Sequence, residues 1–167
     1  ESYNRILFGG REFTSPAAYY PHTIVLYTYG KQLLAPGERI GYLAVSPSMA
    51  DRRELGAAVL FAQIVGGWQM ASATLQRAVP DLETLSIDVA ALERRRNRMA
   101  EVLTGLGYEV TIPEATFYMM VRSPVPDDRA FTSLLARHDV FVGPGQIFEM
   151  PGYFRISLTA NDEMVRR

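Results

Sequence analysis

Residues 28–42 read TYGKQLLAPGERIGY, and this stretch decides how the rest of the sequence is interpreted. It contains Lys31, the only lysine in the chain, whereas the sixteen other basic side chains are all arginines. A lysine amine can lose its proton and attack a carbonyl carbon, which an arginine guanidinium cannot do. The single lysine is therefore a first indication that this position requires an amine.

The residues on either side of Lys31 predict two strands. Residues 23–29, TIVLYTY, are β-branched and aromatic, which is typical of a buried strand, and Gly30 is expected to end it. A Pro-Gly turn follows, and residues 40–46, IGYLAVS, predict a second strand. Lys31 and Arg39 are then expected in one loop at the carboxyl end of the first strand, where open α/β sheets bind ligands.

Three functional groups are grouped in this loop: the hydroxyl of Thr28, the amine of Lys31 and the guanidinium of Arg39. A hydroxyl and a guanidinium hydrogen-bond phosphate oxygens, and an amine reacts with an aldehyde. The combination suits an aldehyde that carries a phosphate.

The same stretch resembles the pyridoxal-phosphate lysine signature of class I/II aminotransferases of fold type I. That signature reads Ser-x-Ser-Lys, a short spacer, and Pro-Gly-x-Arg-x-Gly-Tyr. The residues that match it in register are Lys31, Pro36, Gly37, Arg39, Gly41 and Tyr42. The sequence departs at Thr28, which keeps a hydroxyl, and at Gly30, which loses the second one.

Segments at both ends of the chain extend the resemblance. ESYNRILF at 1–8 resembles the family's Asp-Glu-x-Tyr segment, in which Tyr3 takes the place of the tyrosine. FRISL at 154–158 resembles the segment that carries the substrate-binding arginine, here Arg155. The family's aspartate, which pairs with the pyridine nitrogen, would come immediately before Glu1 and is absent from this chain.

The resemblance implies a pyridoxal 5′-phosphate-dependent aminotransferase that moves an amino group from an amino acid to a 2-oxo acid. Lys31 would form the Schiff base with the cofactor and move the proton as general acid and base. Arg39 and Thr28 would hold the phosphate, and Tyr3 would hydrogen-bond the ring oxygen. Arg155 would bind the substrate α-carboxylate as a planar fork.

The fold expected from the resemblance is α/β, the C-terminal portion of a fold type I aminotransferase. Residues 1–84 would complete the large cofactor-binding domain, with helices at 46–65 and 66–79 and Pro80 closing the second. Residues 85–167 would form the small domain, truncated before its last helix. A long helix is expected to open this second part, with the arginine run at 94–98 mostly on its solvated face.

Composition argues against several other classes. The net charge is −1, which provides no field for nucleic acid, and no apolar run is long enough to span a membrane. Cysteine is absent, and His22 and His138 stand alone, so no metal site is predicted and neither histidine is given a role. With no signal peptide at the start, the expected location is the cytoplasm.

The chain is expected to be a piece of a longer protein, since both ends of the sequence look cut. The family's glycine-rich phosphate loop and ring-stacking aromatic residue would lie upstream, and the complete site forms at a homodimer interface. The 167-residue piece alone is therefore expected to bind the cofactor weakly and not to turn over.

Two other readings stay open. The same lysine serves other fold type I enzymes, such as a β-lyase, a decarboxylase or an acyl-transferring relative. Alternatively, the chain is the aminotransferase-like effector domain of a bacterial transcription regulator, which would carry a helix-turn-helix domain upstream of Glu1.

Overall fold

A computed structural model describes residues 1–67, 70–161 and 163–164. The chain divides into two compact units, Glu1–Ile87 and Asp88–Arg167. The assignment of the two parts to a large and a small aminotransferase domain stays a prediction, and each unit is described by itself.

The first unit is built on a two-stranded antiparallel sheet. Strands β1 (Ile24–Thr28) and β2 (Gly41–Val45) pair with Thr28 opposite Gly41, which confirms both predicted strands. Between them, helix α1 (Tyr29–Gln32) forms a single turn. Lys31 and Arg39 lie between the two strands as predicted, but the strand ends at Thr28 and Gly30 lies inside the helical turn, which corrects the prediction that Gly30 ends the strand. The side chain of Thr28 caps the helix, which explains why the strand stops there.

Two longer helices complete the first unit, as predicted: α2 (Arg52–Val65) and α3 (Ala73–Leu82). Pro80 lies within α3 and does not close it, which corrects the predicted end. The helix continues because its apolar face packs against a buried cluster of Tyr27, Tyr29 and Ile40. The α3 residues in contact with that cluster are Leu75, Val79 and Leu82.

The second unit combines two helices with a four-stranded antiparallel sheet in the order β3-β4-β6-β5. In chain order its elements are α4 (Val89–Gly105), β3 (Val110–Thr111), β4 (Tyr118–Arg122), α5 (Asp128–Ala136), β5 (Gly143–Pro144) and β6 (Tyr153–Ser157). Asp88 and Asp127 cap the two helices, each accepting a hydrogen bond from a backbone N–H in the first turn. The Asn161 side chain likewise accepts a hydrogen bond from Met164 N–H at 2.9 Å.

Alternation along β4 and β6 separates the two faces of this sheet. Met119, Val121 and Phe154 are buried and form the core face. Tyr118 and Arg155 are half-buried on the opposite face. Other buried side chains on the core side include Leu92, Phe117, Phe131 and Leu158. The sheet therefore keeps one partly open face, and Arg155 is on it.

The arginine run on α4 is only partly solvated. Arg94 and Arg98 are exposed as expected, but Arg96 donates to the carbonyl of Pro113 at 2.9 Å and pairs with Glu93 at 3.0 Å. Arg95 reaches the carbonyl of Leu158 at 3.5 Å. The run thus fastens α4 within the second unit.

In the part of the chain that is described, none of the helices is both long enough and apolar enough to cross a bilayer. Over the same residues, no group of three or more metal-binding side chains is positioned to hold an ion.

Candidate active site

Lys31 lies on the single helical turn that follows β1. The Thr28 hydroxyl accepts a hydrogen bond from Gly30 N–H at 3.3 Å and so fixes the start of the turn. The Lys31 side chain is half-buried, and no side chain or backbone group among the described residues hydrogen-bonds or pairs with its amine. The amine is therefore available to a ligand.

Arg39 approaches the same segment from the turn that leads into β2. Glu38 N–H donates to the carbonyl of Ala35 at 3.1 Å, which closes the predicted turn. The guanidinium of Arg39 is exposed and donates to the carbonyl of Pro36 at 2.9 Å. An arginine carries five N–H donors, so this bond leaves most of the fork for another acceptor.

Gly41 allows the chain to return against the turn. A Cβ atom at this position would lie 2.3 Å from the carbonyl oxygen of Tyr27 and 3.2 Å from Cα of Thr28. Tyr29 N–H donates to the carbonyl of Ile40 at 3.2 Å across the same close approach. The glycine thus brings the strand after Arg39 directly beside the start of the Lys31 turn.

A buried tyrosine on the turn connects it to a distant ion pair. The hydroxyl of Tyr29 donates to the Glu83 carboxylate, which also pairs with Arg5. Burial, and then the hydrogen bond to Glu83, raise the pKa of Tyr29 above its usual value. The hydrogen bond from Tyr29 holds the pKa of Glu83 below its usual value, and Arg5 adds to the lowering. Both shifts keep a neutral phenol bonded to a charged carboxylate at neutral pH.

Gln32, the residue after Lys31, forms a second connection. Its side chain is 1% exposed, accepts from the Tyr27 hydroxyl and donates to the carbonyl of Leu85. Its own carbonyl accepts from Ile87 N–H at 3.1 Å. The turn that carries Lys31 is therefore fastened on both sides to residues 83–87.

Tyr3 lies at the start of the chain, in a turn closed by Ile6 N–H donating to the Tyr3 carbonyl at 2.9 Å. The nitrogen of Glu1 donates to the carbonyl of Leu26 on β1 at 2.7 Å. The segment that contains Tyr3 is thus held beside the strand that leads to Lys31. Its contact with a cofactor stays a prediction.

Arg155 belongs to the second unit and is held between aromatic side chains. Its Cζ lies 3.8 Å from the ring centroid of Tyr118 and 3.5 Å from that of Phe148. No described residue accepts a hydrogen bond from its guanidinium. A half-buried arginine whose N–H groups lack an acceptor is suited to binding an anion.

A groove of about 660 Å³ lies between β2 and helices α2 and α3. Its lining is largely apolar; it includes Arg39 but neither Lys31 nor Thr28. Because Lys31 does not line it, the groove is not the predicted cofactor site.

The sequence interpretation missed the residues that support the site. Glu83 and Gln32 act on the Lys31 turn through partners more than fifty positions away, which no local pattern reveals. The two rings around Arg155 come from separate segments. The sequence does hold one signal for Phe148. It follows Gly143 and Gly145 closely, and its ring occupies the space that a side chain on Gly143 would fill.

Comparison with known proteins agrees with these motifs. The family model for aminotransferase class I and II matches residues 1–167. A tyrosine aminotransferase from Caenorhabditis elegans is 28% identical over 174 residues, covering 98% of this chain and 38% of that protein. An aspartate/prephenate aminotransferase from Thermus thermophilus is also 28% identical, covering 100% of this chain and 44% of that protein.

Among solved structures, an amino transferase from Eubacterium rectale superimposes with a TM-score of 0.89 at 34% identity, covering 99% of this chain and 42% of that one. The chain therefore spans about two-fifths of the length of the relatives it matches. Its mixed α/β architecture agrees with a C-terminal portion of such structures. A match over the whole chain, together with the lysine signature, shows that the chain belongs to the aminotransferase class I and II family.

Proposed function

We propose that this chain provides one wall of the active site of a pyridoxal 5′-phosphate-dependent aminotransferase that transfers an amino group from an amino acid to a 2-oxo acid. The observation that carries the proposal is the half-buried amine of Lys31, which has no partner among the described residues. It sits on a capped turn beside an exposed guanidinium, in a chain of the aminotransferase family.

The residues present fit a phosphorylated aldehyde. Lys31 supplies the amine for a covalent bond, and Arg39 supplies free N–H donors for the phosphate. The Thr28 hydroxyl proton makes one long bond, to the Ile40 carbonyl at 3.5 Å, and can turn to a phosphate oxygen while the hydroxyl still accepts from Gly30 N–H. When bound, the cofactor supplies the electron sink for amino-acid chemistry.

The protein's own contribution is proton transfer and orientation. Lys31 Nζ would take up the proton that leaves the substrate Cα and return it as the amino group is transferred. Arg155 would bind the substrate α-carboxylate and so orient the amino acid. Tyr3 donates its phenol proton toward the ring oxygen.

The turn that carries Lys31 has a rigid support for this work. Tyr29 is bonded to Glu83 and Gln32 to Leu85, so both ends of the turn are fixed by buried side chains. Fixed backbone around a reactive group lowers the entropy cost of reaching the reactive geometry.

The active unit is proposed to be a larger protein than these 167 residues. Relatives are more than twice as long, and we propose a cytoplasmic homodimer that completes the site with residues outside this chain. The 167-residue piece alone is expected to bind pyridoxal phosphate weakly and not to turn over.

The test of the lysine is a labelling experiment on the whole protein loaded with pyridoxal phosphate. Borohydride reduction makes the bond between amine and cofactor permanent, and peptide mass spectrometry locates it. We expect the label on Lys31, and its loss in both Lys31→Ala and Lys31→Arg, because arginine retains the charge but is not a nucleophile. A label that persists in either variant contradicts the assignment.

The reaction type needs a second measurement. Amino acids are incubated with pyruvate or 2-oxoglutarate, and we expect the acceptor to gain the amino group with no ammonia released. Release of ammonia and pyruvate from the donor would instead indicate a β-lyase. Binding of pyridoxal phosphate with no turnover of any donor would favour the effector domain of a transcription regulator.

A further inference from the structure

Strand pairing sets the position of Arg155 in the sheet of the second unit. On β6, Arg155 lies opposite Met120 of β4 on one side and Gly143 of β5 on the other. Tyr118 is two residues before Met120, so it projects from the same face and lies diagonally across from Arg155. The sheet itself thus supplies the first ring.

The second ring depends on a glycine. A Cβ atom on Gly143 would lie 2.8 Å from Cε2 and 3.1 Å from Cζ of Phe148. The space that a side chain would fill beside Arg155 is therefore taken by the ring of Phe148. The turn Gly145–Phe148 brings the ring back over β5.

Gly145 allows that turn to form. A Cβ atom there would lie 2.1 Å from the carbonyl oxygen of Met150 and 2.5 Å from that of Tyr153. Both clashes are with backbone, which cannot move aside. Gly143 and Gly145, the residues immediately before and after Pro144, thus have one shared result, which is the placement of Phe148 against Arg155.

The two rings restrict the guanidinium in a particular way. The guanidinium Cζ lies over both rings, 3.5 Å from the centroid of Phe148 and 3.8 Å from that of Tyr118, so the group is held between two aromatic side chains. Two rings this close to Cζ restrict rotation of the guanidinium plane. The N–H donors, which lie in the plane of the group, find no acceptor among the described residues.

We propose that Tyr118 and Phe148 are positioning residues that hold the plane of the Arg155 guanidinium for a substrate carboxylate. This role rests on the proposed function, in which Arg155 binds the α-carboxylate. A guanidinium already fixed in its binding orientation loses less side-chain freedom when the carboxylate arrives. The rings also displace water from around the guanidinium, which strengthens the bonds made at the edge.

The experiment compares an amino acid with its decarboxylated amine in the whole, cofactor-loaded protein. The amino acid is the best donor found by screening the common amino acids, and the amine lacks only the α-carboxylate. Removing a ring, in Tyr118→Leu or Phe148→Leu, is expected to raise KM for the amino acid about 2- to 30-fold. We expect kcat to change less, and binding of the amine to stay unchanged.

Tyr118→Phe is the matched control, because it keeps the ring and removes only the hydroxyl. It is expected to retain the wild-type KM. Thermal unfolding checks that each variant is folded, and if Phe148→Leu is not, the half-buried Tyr118 carries the test. The proposal is overturned if KM for the amino acid is unchanged in the folded leucine variants, if the amine is affected equally, or if Tyr118→Phe behaves as Tyr118→Leu does.

Arg155→Lys separates this proposal from the one it rests on. If Arg155→Lys leaves KM for the amino acid unchanged, the carboxylate role of Arg155 is wrong. If Arg155→Lys raises KM and the ring variants do not, the carboxylate role stands and only the positioning role fails.

Discussion

Replacing Gln32 with methionine removes two hydrogen bonds while keeping a long, unbranched side chain. The hydroxyl of Tyr27 is left buried without its acceptor, which costs about 1–3 kcal/mol. The carbonyl of Leu85 also loses its donor, but Leu85 is exposed and water can replace it, so this loss is about 1 kcal/mol. We therefore expect Gln32→Met to weaken the local structure by about 2–4 kcal/mol.

A double-mutant cycle with Tyr27→Phe tests where this energy comes from. Tyr27→Phe alone leaves the amide oxygen of Gln32 without its donor and is expected to cost about 1–3 kcal/mol. Its ring stays in place, so the stacking on Tyr42 at 5.1 Å is preserved. In the double variant neither group remains to be stranded, and its cost is expected to be lower than the sum by about 1–2 kcal/mol.

Amide hydrogen exchange at Ile87 is the assay, since its N–H is bonded to the Gln32 carbonyl. A loss of about 2–4 kcal/mol corresponds to exchange about 30- to 1,000-fold faster, if exchange follows local opening. Unchanged exchange at Ile87 in Gln32→Met, or strict additivity of the two substitutions, would refute the reasoning.

Three further outcomes are expected. Gly41→Ala is expected to cost about 1–3 kcal/mol in urea unfolding and to weaken cofactor binding, because its Cβ meets backbone at 2.3 Å; Gly37→Ala, where the space is open, should do neither. Thr116→Gly is expected to gain about 1 kcal/mol, because Thr116 has φ of 70° and a buried hydroxyl without a partner; no gain in the unfolding midpoint would contradict this. Glu83 has a lowered pKa in the folded state, so its stabilisation is full above its unfolded pKa and is lost as pH falls through the folded one. The stability difference between wild type and Glu83→Gln should be constant above about pH 5 and shrink below about pH 4, and a difference that ignores pH would argue against it.

How far the sequence predicts the fold is clearest around Lys31. The strands on either side were predictable, because β-branched and aromatic runs and a Pro-Gly turn are local signals. The helical turn between them was not predictable, because it depends on the hydrogen bond that the Thr28 hydroxyl accepts from the backbone N–H of Gly30. A four-residue helix has no periodicity from which it could be read.

Tertiary packing overrode local rules elsewhere. Pro80 reads as a helix end, yet α3 runs to Leu82 because that residue and Val79 pack on buried tyrosines. Val102 on α4 and Leu106 at its C-cap fit a helical stripe of apolar residues but are 51% and 70% exposed. The periodicity of apolar residues identifies both α3 and α4. The residues packed against each helix determine where it ends and which of its side chains are buried.

The candidate site divides in the same way. Lys31, Arg39 and Thr28 share one short segment, so their grouping followed from the sequence alone. The roles of Glu83 and Phe148 did not follow from the sequence. Each contacts its partner only in the folded chain, Glu83 through Tyr29 and Phe148 through Arg155.

The ties between Gln32 and residues 85–87 have a mechanical consequence. Residues 84–86 are exposed and look like an ordinary connection before Asp88, where inserted residues are usually tolerated. Here, however, the connection is hydrogen-bonded to the Lys31 turn, because Gln32 bonds both Leu85 and Ile87. An insertion or a cut in this exposed segment would therefore disturb the turn that carries Lys31, so the connection supports that turn in addition to joining two parts of the chain.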